Sequence, residues 1–296
     1  MNIAFFTEMP FKGKVPHNYP NMRTEFSWMV ALDSDHYNLK ETPTKKYDLG
    51  IIIIPKNNPE FNLEEIKQHC DKVAVMQEGP HWYFQDYPIK EQINYFNTLV
   101  SADTVLVHNK VDKIYYEGLI GHKDVRIMKS LMIEKSIGEL KKVNREGVII
   151  GGNFVNWYGG FDSYIVANSQ FDKVTAPTMG RRQDGEEQLL SLLPYMDWKE
   201  WIHKLNEFKI GVHLMRTHAA GTFALNCAYL GIPCIGYKGL DTQELCHPEL
   251  TVEIGSLGHA KELIKELNNN SEFYNECSKQ AINNYNTYFH ESKFKI

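Results

Sequence analysis

His213–Gly236, HLMRTHAAGTFALNCAYLGIPCIG, reads as the end of a strand, a turn, a helix, a second turn and the start of another strand. The residues just before it complete the first strand. FKIGVHLM (208–215) is short and apolar, with β-branched residues at its centre, and stops before Arg216. Thr217–Ala220 is a small polar turn. Gly221 and Thr222 open a helix, as a pair suited to capping free backbone N–H groups. Phe223, Ala224, Cys227, Ala228 and Leu230 give that helix apolar faces. Gly231 stops it, and Pro233 forbids its continuation. Cys234, Ile235 and Gly236 begin the next buried strand. A helix N-terminus beyond a parallel strand presents unpaired N–H groups and the positive end of a dipole, which favour phosphate. Many α/β units contain such a turn and bind nothing, so the stretch sets an α/β class and only nominates a site.

The order of residues here resembles the C-terminal motif of GT-B glycosyltransferases, the retaining enzymes that use nucleotide sugars. In that motif a glycine lies between two glutamates, and Ala-x-x-x-Gly-x-Pro follows. Gly221, Gly231 and Pro233 fall on matching positions. His218 stands where the first glutamate would be and Asn226 where the second would be. The family's first carboxylate contacts the donor sugar and its second the ribose. By resemblance, His218 holds a sugar hydroxyl or phosphate oxygen, and Asn226 holds the ribose through its amide. Both departures leave the donor and the stereochemical outcome open. The resemblance also implies two Rossmann-like β/α/β domains facing across a cleft.

At 296 residues the chain has room for one large or two modest domains. It is 43% hydrophobic and 23% charged, an ordinary globular balance. No run approaches the roughly 18 apolar residues that span a bilayer. MNIAFFTEMP has neither a basic leader nor a cleavage site, so no signal peptide is expected. The net charge of −5 argues against a protein basic all over, though not against a local basic groove. The five cysteines form no CxxC pair and read as thiols in a reducing cytoplasm, that of a host if the chain is phage-encoded.

Ile3–Thr7 looks like the first parallel strand of a doubly wound domain. FKGKVPHNYPN is a loop beyond its carboxyl end, and no G-x-G-x-x-G follows. Met22–Leu32 is an amphipathic helix whose Arg23 either contacts an anion or pairs with Glu25. Strands are expected at Leu49–Ile54, Lys72–Met76, Thr104–Val107 and Val125–Met128, alternating with helices at Leu63–His69, Glu91–Val100 and Val111–Leu119. The third strand empties into Gln77-Glu78-Gly79-Pro80-His81-Trp82-Tyr83-Phe84. A carboxylate, an imidazole and three aromatics at a strand's carboxyl end suit an active-site cleft more than a packed turn.

Lys135–Glu146 is charged and turn-rich, and marks the domain boundary. We expect an N-terminal acceptor domain over 1–140 and a C-terminal donor domain over 141–275. The closing segment, 276–296, is expected to return to the first domain. After Gly147–Ile150, the glycines Gly151 and Gly152 with Asn153 let a ligand approach the backbone, or simply make a turn. Pro177–Asp184 carries Arg181 and Arg182, either a pyrophosphate clamp or a solvated basic turn before an expected helix at Glu186–Leu193. Asp197–Leu205 is amphipathic, with Trp198, Trp201 and Ile202 read as core. His213 and His218 find no third ligand, so no built-in metal is expected.

These readings converge on a glycosyltransferase without a tightly bound cofactor, taking a nucleotide sugar, UDP-linked by preference. Gly152, Asn153, Arg181, Arg182, Arg216, Gly221 and Thr222 would hold the leaving diphosphate, and Asn226 the ribose. Glu78, His81 and His218 are the candidate catalytic residues. Arg23, Trp82 and Tyr83 would meet the acceptor. Size and codon-biased composition look similar to phage enzymes that decorate hydroxymethylated pyrimidines in DNA. Lys12, Lys14, His17 and Arg23 would meet phosphates, and the aromatics would stack on an extruded base. A glycan, lipid-linked or small-molecule acceptor, a nucleotide sugar epimerase, and a non-catalytic binding module are the alternatives.

Overall fold

The computed structural model describes residues 1–55, 61–77, 79–121, 124–178 and 180–294. Two six-stranded, wholly parallel sheets carry the fold. The first part runs β1 (Ile3–Thr7), α1 (Thr24–Ala31), β2 (Asp35–Asn38), β3 (Tyr47–Ile54), α2 (Leu63–His69), β4 (Cys70–Gln77), α3 (Ile89–Ser101), β5 (Thr104–Val107), α4 (Lys110–Ile120) and β6 (Asp124–Ile127). A short α5 (Glu134–Ile137) leads to β7 (Glu146–Ile150), α6 (Gly160–Ala167), β8 (Val174–Ala176), β9 (Leu190–Leu192), α7 (Trp198–Leu205) and β10 (Phe208–His213). Then come α8 (Thr222–Leu230), β11 (Cys234–Tyr237), α9 (Asp241–Cys246), β12 (Thr251–Val252), α10 (Leu257–Asn269) and α11 (Ser271–Tyr288).

The strand orders are β2-β1-β3-β4-β5-β6 and β12-β11-β10-β7-β8-β9. Each sheet is therefore doubly wound. The chain reverses its direction of travel between β1 and β3 in one sheet and between β7 and β10 in the other. Ligands of such sheets bind in the crevice beyond the carboxyl ends at these switch points. This is the GT-B arrangement that the motif implied.

Apolar runs explain the strands. Ile51–Ile54 lies in the middle of its sheet, and all four side chains are buried because helices cover both faces. Each such isoleucine is worth about 1.5–3 kcal/mol relative to exposure. One apolar cluster runs from the first sheet (Ile3, Phe5, Ile51, Ile53) through Met128, Leu131, Met132 and Ile133 to Trp198, Ile202 and Phe223 of the second half. The halves thus share core. Helix α11 lies against α8, and its end reaches the linking segment. There the Tyr285 hydroxyl donates to Glu134 at 3.0 Å, and Lys129 sits 5.4 Å from the Phe289 ring.

Two expectations need correcting. Glu186–Leu193 is not a helix: a single 3₁₀ turn at Glu186–Gln188 gives way to the edge strand β9. Four leucines out of eight residues fit either periodicity, and pairing with β8 decides. Strand β2, DHYN, was not anticipated, because its polar ends hide a two-residue buried centre. All five cysteines are free and buried. No helix among the described residues is long and apolar enough to cross a membrane.

Candidate functional site

The decisive turn is built as its residues require. Gly221 has φ +65°, and a Cβ there would overlap Thr242 Oγ1, which donates to the Gly221 carbonyl at 2.9 Å. Only glycine meets both demands. No side chain caps α8, so the N–H groups of its first turn remain available. They face a cavity of about 210 Å³.

Both switch points feed that cavity. Gly151, after β7, and Thr222, Phe223 and Asn226, after β10, line it from the second sheet. Met22, Arg23 and Thr24, at the start of α1, line it from the first. Tyr195, Met196, Trp198 and Trp201 close another side. Asn226 is 4% exposed, and its amide has no protein partner among the described residues. Trp198 and Trp201, read as core, are also walls; a core indole and a cavity wall have the same spacing in a sequence.

A second group lies beside the α8 turn. His81 Nδ1 is 2.9 Å from Asp112 Oδ1. Asp112 is buried, and Asn109 Nδ2 donates to its other oxygen at 2.9 Å. The His81 ring stacks on Tyr115 with centroids 4.1 Å apart. Asn109 also donates to the Ala219 carbonyl at 3.3 Å, and Ser130 Oγ to the Ala220 carbonyl at 2.7 Å. Loop 217–220 is thereby held from the first sheet's side. His218 lies in this loop, over Gly239, where a Cβ would strike its ring. Burial holds His218 below the ordinary imidazole value, against the pull of Asp112 and Glu244. Asp112 escaped the sequence reading. Its one local signal was Asn109-x-x-Asp112 at a helix start, where the Asn109 side chain accepts from the Asp112 N–H at 2.9 Å.

A third group joins the two halves through aromatic rings. Trp157, from the NWYGG loop, meets Trp82 and Tyr83 edge-on, at 5.3 and 4.8 Å between centroids. The Arg181 guanidinium lies 4.5 Å from the Trp157 centroid, and its Nη2 is 3.4 Å from the Tyr83 hydroxyl.

The other expected residues lie elsewhere. Arg182 pairs with Glu187 at 2.6 Å on the surface. Arg216 donates to Asp162 at 3.0 Å, and Tyr237 donates to the same oxygen. Gly152 makes room for Tyr158, and the Asn153 amide donates to the Arg181 carbonyl. Arg23, expected beside the acceptor, lines the cavity next to α8 and donates to the Tyr195 hydroxyl at 3.2 Å. Glu78 lies outside the described residues. Among the described residues no group of three or more His, Cys, Asp or Glu side chains is placed to hold a metal.

No family model matches the chain, and no curated protein does. Solved structures do. Sucrose-phosphate synthase from Thermosynechococcus elongatus superposes with a TM-score of 0.69 at 11% identity, covering 99% of this chain and 96% of that one. HepE from Anabaena, solved in complex with UDP and glucose, gives 0.63 at 10% identity, covering 99% and 96%. A mutant of S. aureus TarM, in complex with Fondaparinux, alpha-GlcNAc-glycerol and UDP, gives 0.63 at 11% identity over 82% of this chain. The chain spans about half the length of TarM, 53%. At these identities the likeness is one of fold.

Proposed function

We propose that the protein is a glycosyltransferase that moves a sugar from a nucleotide sugar, UDP-linked by preference, to an acceptor hydroxyl. One observation carries this reading. A single cavity receives both switch points and the uncapped N-terminus of α8, with the buried, unpartnered Asn226 amide in its wall. That combination suits a ribose next to a diphosphate. The UDP present in the HepE and TarM complexes supports the choice of nucleotide. The donor thus rests mainly on the second domain and the acceptor on the first. His81, oriented by Asp112, would hold the acceptor hydroxyl, and His218 a donor hydroxyl. This oriented imidazole favours catalysis over a binding module.

The acceptor assignment rests on the aromatic group. Trp82, Tyr83 and Trp157 with Arg181 suit a flat or pyranose ring. A hydroxymethylated pyrimidine in DNA is the acceptor we would test first, with glycan, lipid-linked and small-molecule hydroxyls as comparison arms. The nearby cations do not add to the DNA case: Lys14 pairs with Asp33 at 2.6 Å, and Lys12 lies over the Tyr37 ring.

Thermal unfolding against nucleoside diphosphates and their sugars tests the donor. A ligand at about 100 times its Kd adds about 2.7 kcal/mol to the native state. A raised midpoint with UDP and one UDP-sugar supports the reading, and acceptor-dependent release of UDP then identifies transfer. No shift with any nucleotide at millimolar concentration would overturn it.

A further inference from the structure

We infer that Arg23 is a phosphate ligand of the donor, supplied to the second domain's cavity by the first domain. The inference rests on the proposed function and specifies which residue neutralises the leaving diphosphate.

Three observations converge. First, Arg23 is the one charged residue among the described residues that line the cavity. The three arginines that the sequence nominated for this task are engaged elsewhere, on Trp157, Glu187 and Asp162. A diphosphate in the cavity would otherwise meet no cation. Second, two helix N-termini border the cavity. Thr24 opens the eight-residue α1, and Thr222 opens the nine-residue α8; both line the cavity, and neither helix has a side-chain cap. Two uncapped helix starts with a guanidinium beside one of them suit adjacent negative charges. Third, the Asn226 amide is more than nine-tenths buried, lacks a protein partner among the described residues and belongs to the same wall. A buried amide left open toward a cavity points to a ligand with hydroxyls or phosphate oxygens.

The present partners of Arg23 are weak ones. Its Nη2 lies 3.2 Å from the Tyr195 hydroxyl and 3.4 Å from the Met196 carbonyl, and the side chain is exposed. Neither partner is charged, so a phosphate oxygen displaces them readily. Arg23 reaches these partners across the domain boundary. Its contact with a donor therefore requires the two domains to be closed.

The test compares uridine, UDP and glucose 6-phosphate on the whole protein, by calorimetric titration of wild type, R23Q and R23K. R23Q should weaken UDP by roughly tenfold or more and leave uridine within about twofold, because only the charge-assisted bonds are lost. R23K keeps the positive charge and should recover most of the UDP affinity that R23Q loses. Equal weakening of uridine and UDP in R23Q would make Arg23 a prop for the cavity wall and overturn the inference. So would unchanged UDP binding. Loss of glucose 6-phosphate binding alone would reassign the site to a phosphorylated acceptor and overturn the donor assignment. Wild type that binds neither uridine nor UDP would sink the proposed function itself, a separate outcome.

Discussion

His81 Nδ1 lies 2.9 Å from Asp112 Oδ1, and the other oxygen of that carboxylate accepts from the Asn109 amide. The imidazole is thereby fixed in one orientation, with Nδ1 turned to the carboxylate and Nε2 free of that contact. H81A should slow transfer by about 10²–10⁴-fold while leaving UDP affinity within about twofold. D112N should lose part of that rate, because an amide can hold the wrong tautomer. Initial rates of UDP release, with UDP titrations in parallel, check both. The anomer of the product, read by NMR, then assigns the role. Inversion gives His81 the acceptor proton, and retention leaves it an orienting group. Equal loss of donor binding in H81A would remove it from the acceptor side.

Gly221 is the next test. Alanine there meets both an unfavourable φ of +65° and the Thr242 hydroxyl. G221A should cost about 1–3 kcal/mol of stability and lower donor affinity by displacing the first turn of α8. T242A in the same chain should recover the part due to overlap and not the part due to φ. Urea unfolding of the two variants separates these contributions. A neutral G221A would mean that the turn relaxes freely.

Acid should destabilise the fold through buried histidines. Burial pushes His213 and His247 down to about 4, from an ordinary 6.5. The unfolded chain therefore binds protons between these values that the native state refuses. Stability is full above about pH 6.5 and falls as pH drops toward 4, by at most about 3 kcal/mol per histidine. Urea midpoints at pH 7.5, 5.5 and 4.5 measure the slope. A flat profile would mean that water reaches both rings.

The aromatic bridge predicts a split between substrates. W157A removes the ring that Trp82, Tyr83 and Arg181 share. The acceptor KM should rise about tenfold, corresponding to roughly 1–3 kcal/mol per stacked ring. The Kd for UDP should stay within about twofold. If donor affinity falls instead, the bridge acts on closure and not on the acceptor.

Local features of the fold were open to sequence reading. The strand, turn and helix around Gly221 lie within two residues of expectation. They carry their own signals: a glycine or proline stop and an apolar period. Features that depend on distant partners were not legible. β9 is a strand because β8 lies beside it. Asp112 matters because residue 81, far off in sequence, meets it. Arg23 and Tyr195 stand 172 positions apart, and no spacing rule links them. The arginines chosen from the sequence were chosen for charge, whereas the fold assigns charge by position.

The turn that presents α8 is itself fastened to the other half of the molecule. Asn109 grips Ala219, Ser130 grips Ala220, and the Lys199 N–H donates to the Pro20 carbonyl at 3.1 Å. The start of α8 is therefore positioned by both halves. A ligand gripped by α8 must favour the shut state by the same factor that shutting favours the ligand. Spent nucleotide would then leave as these contacts part, a step that can limit turnover.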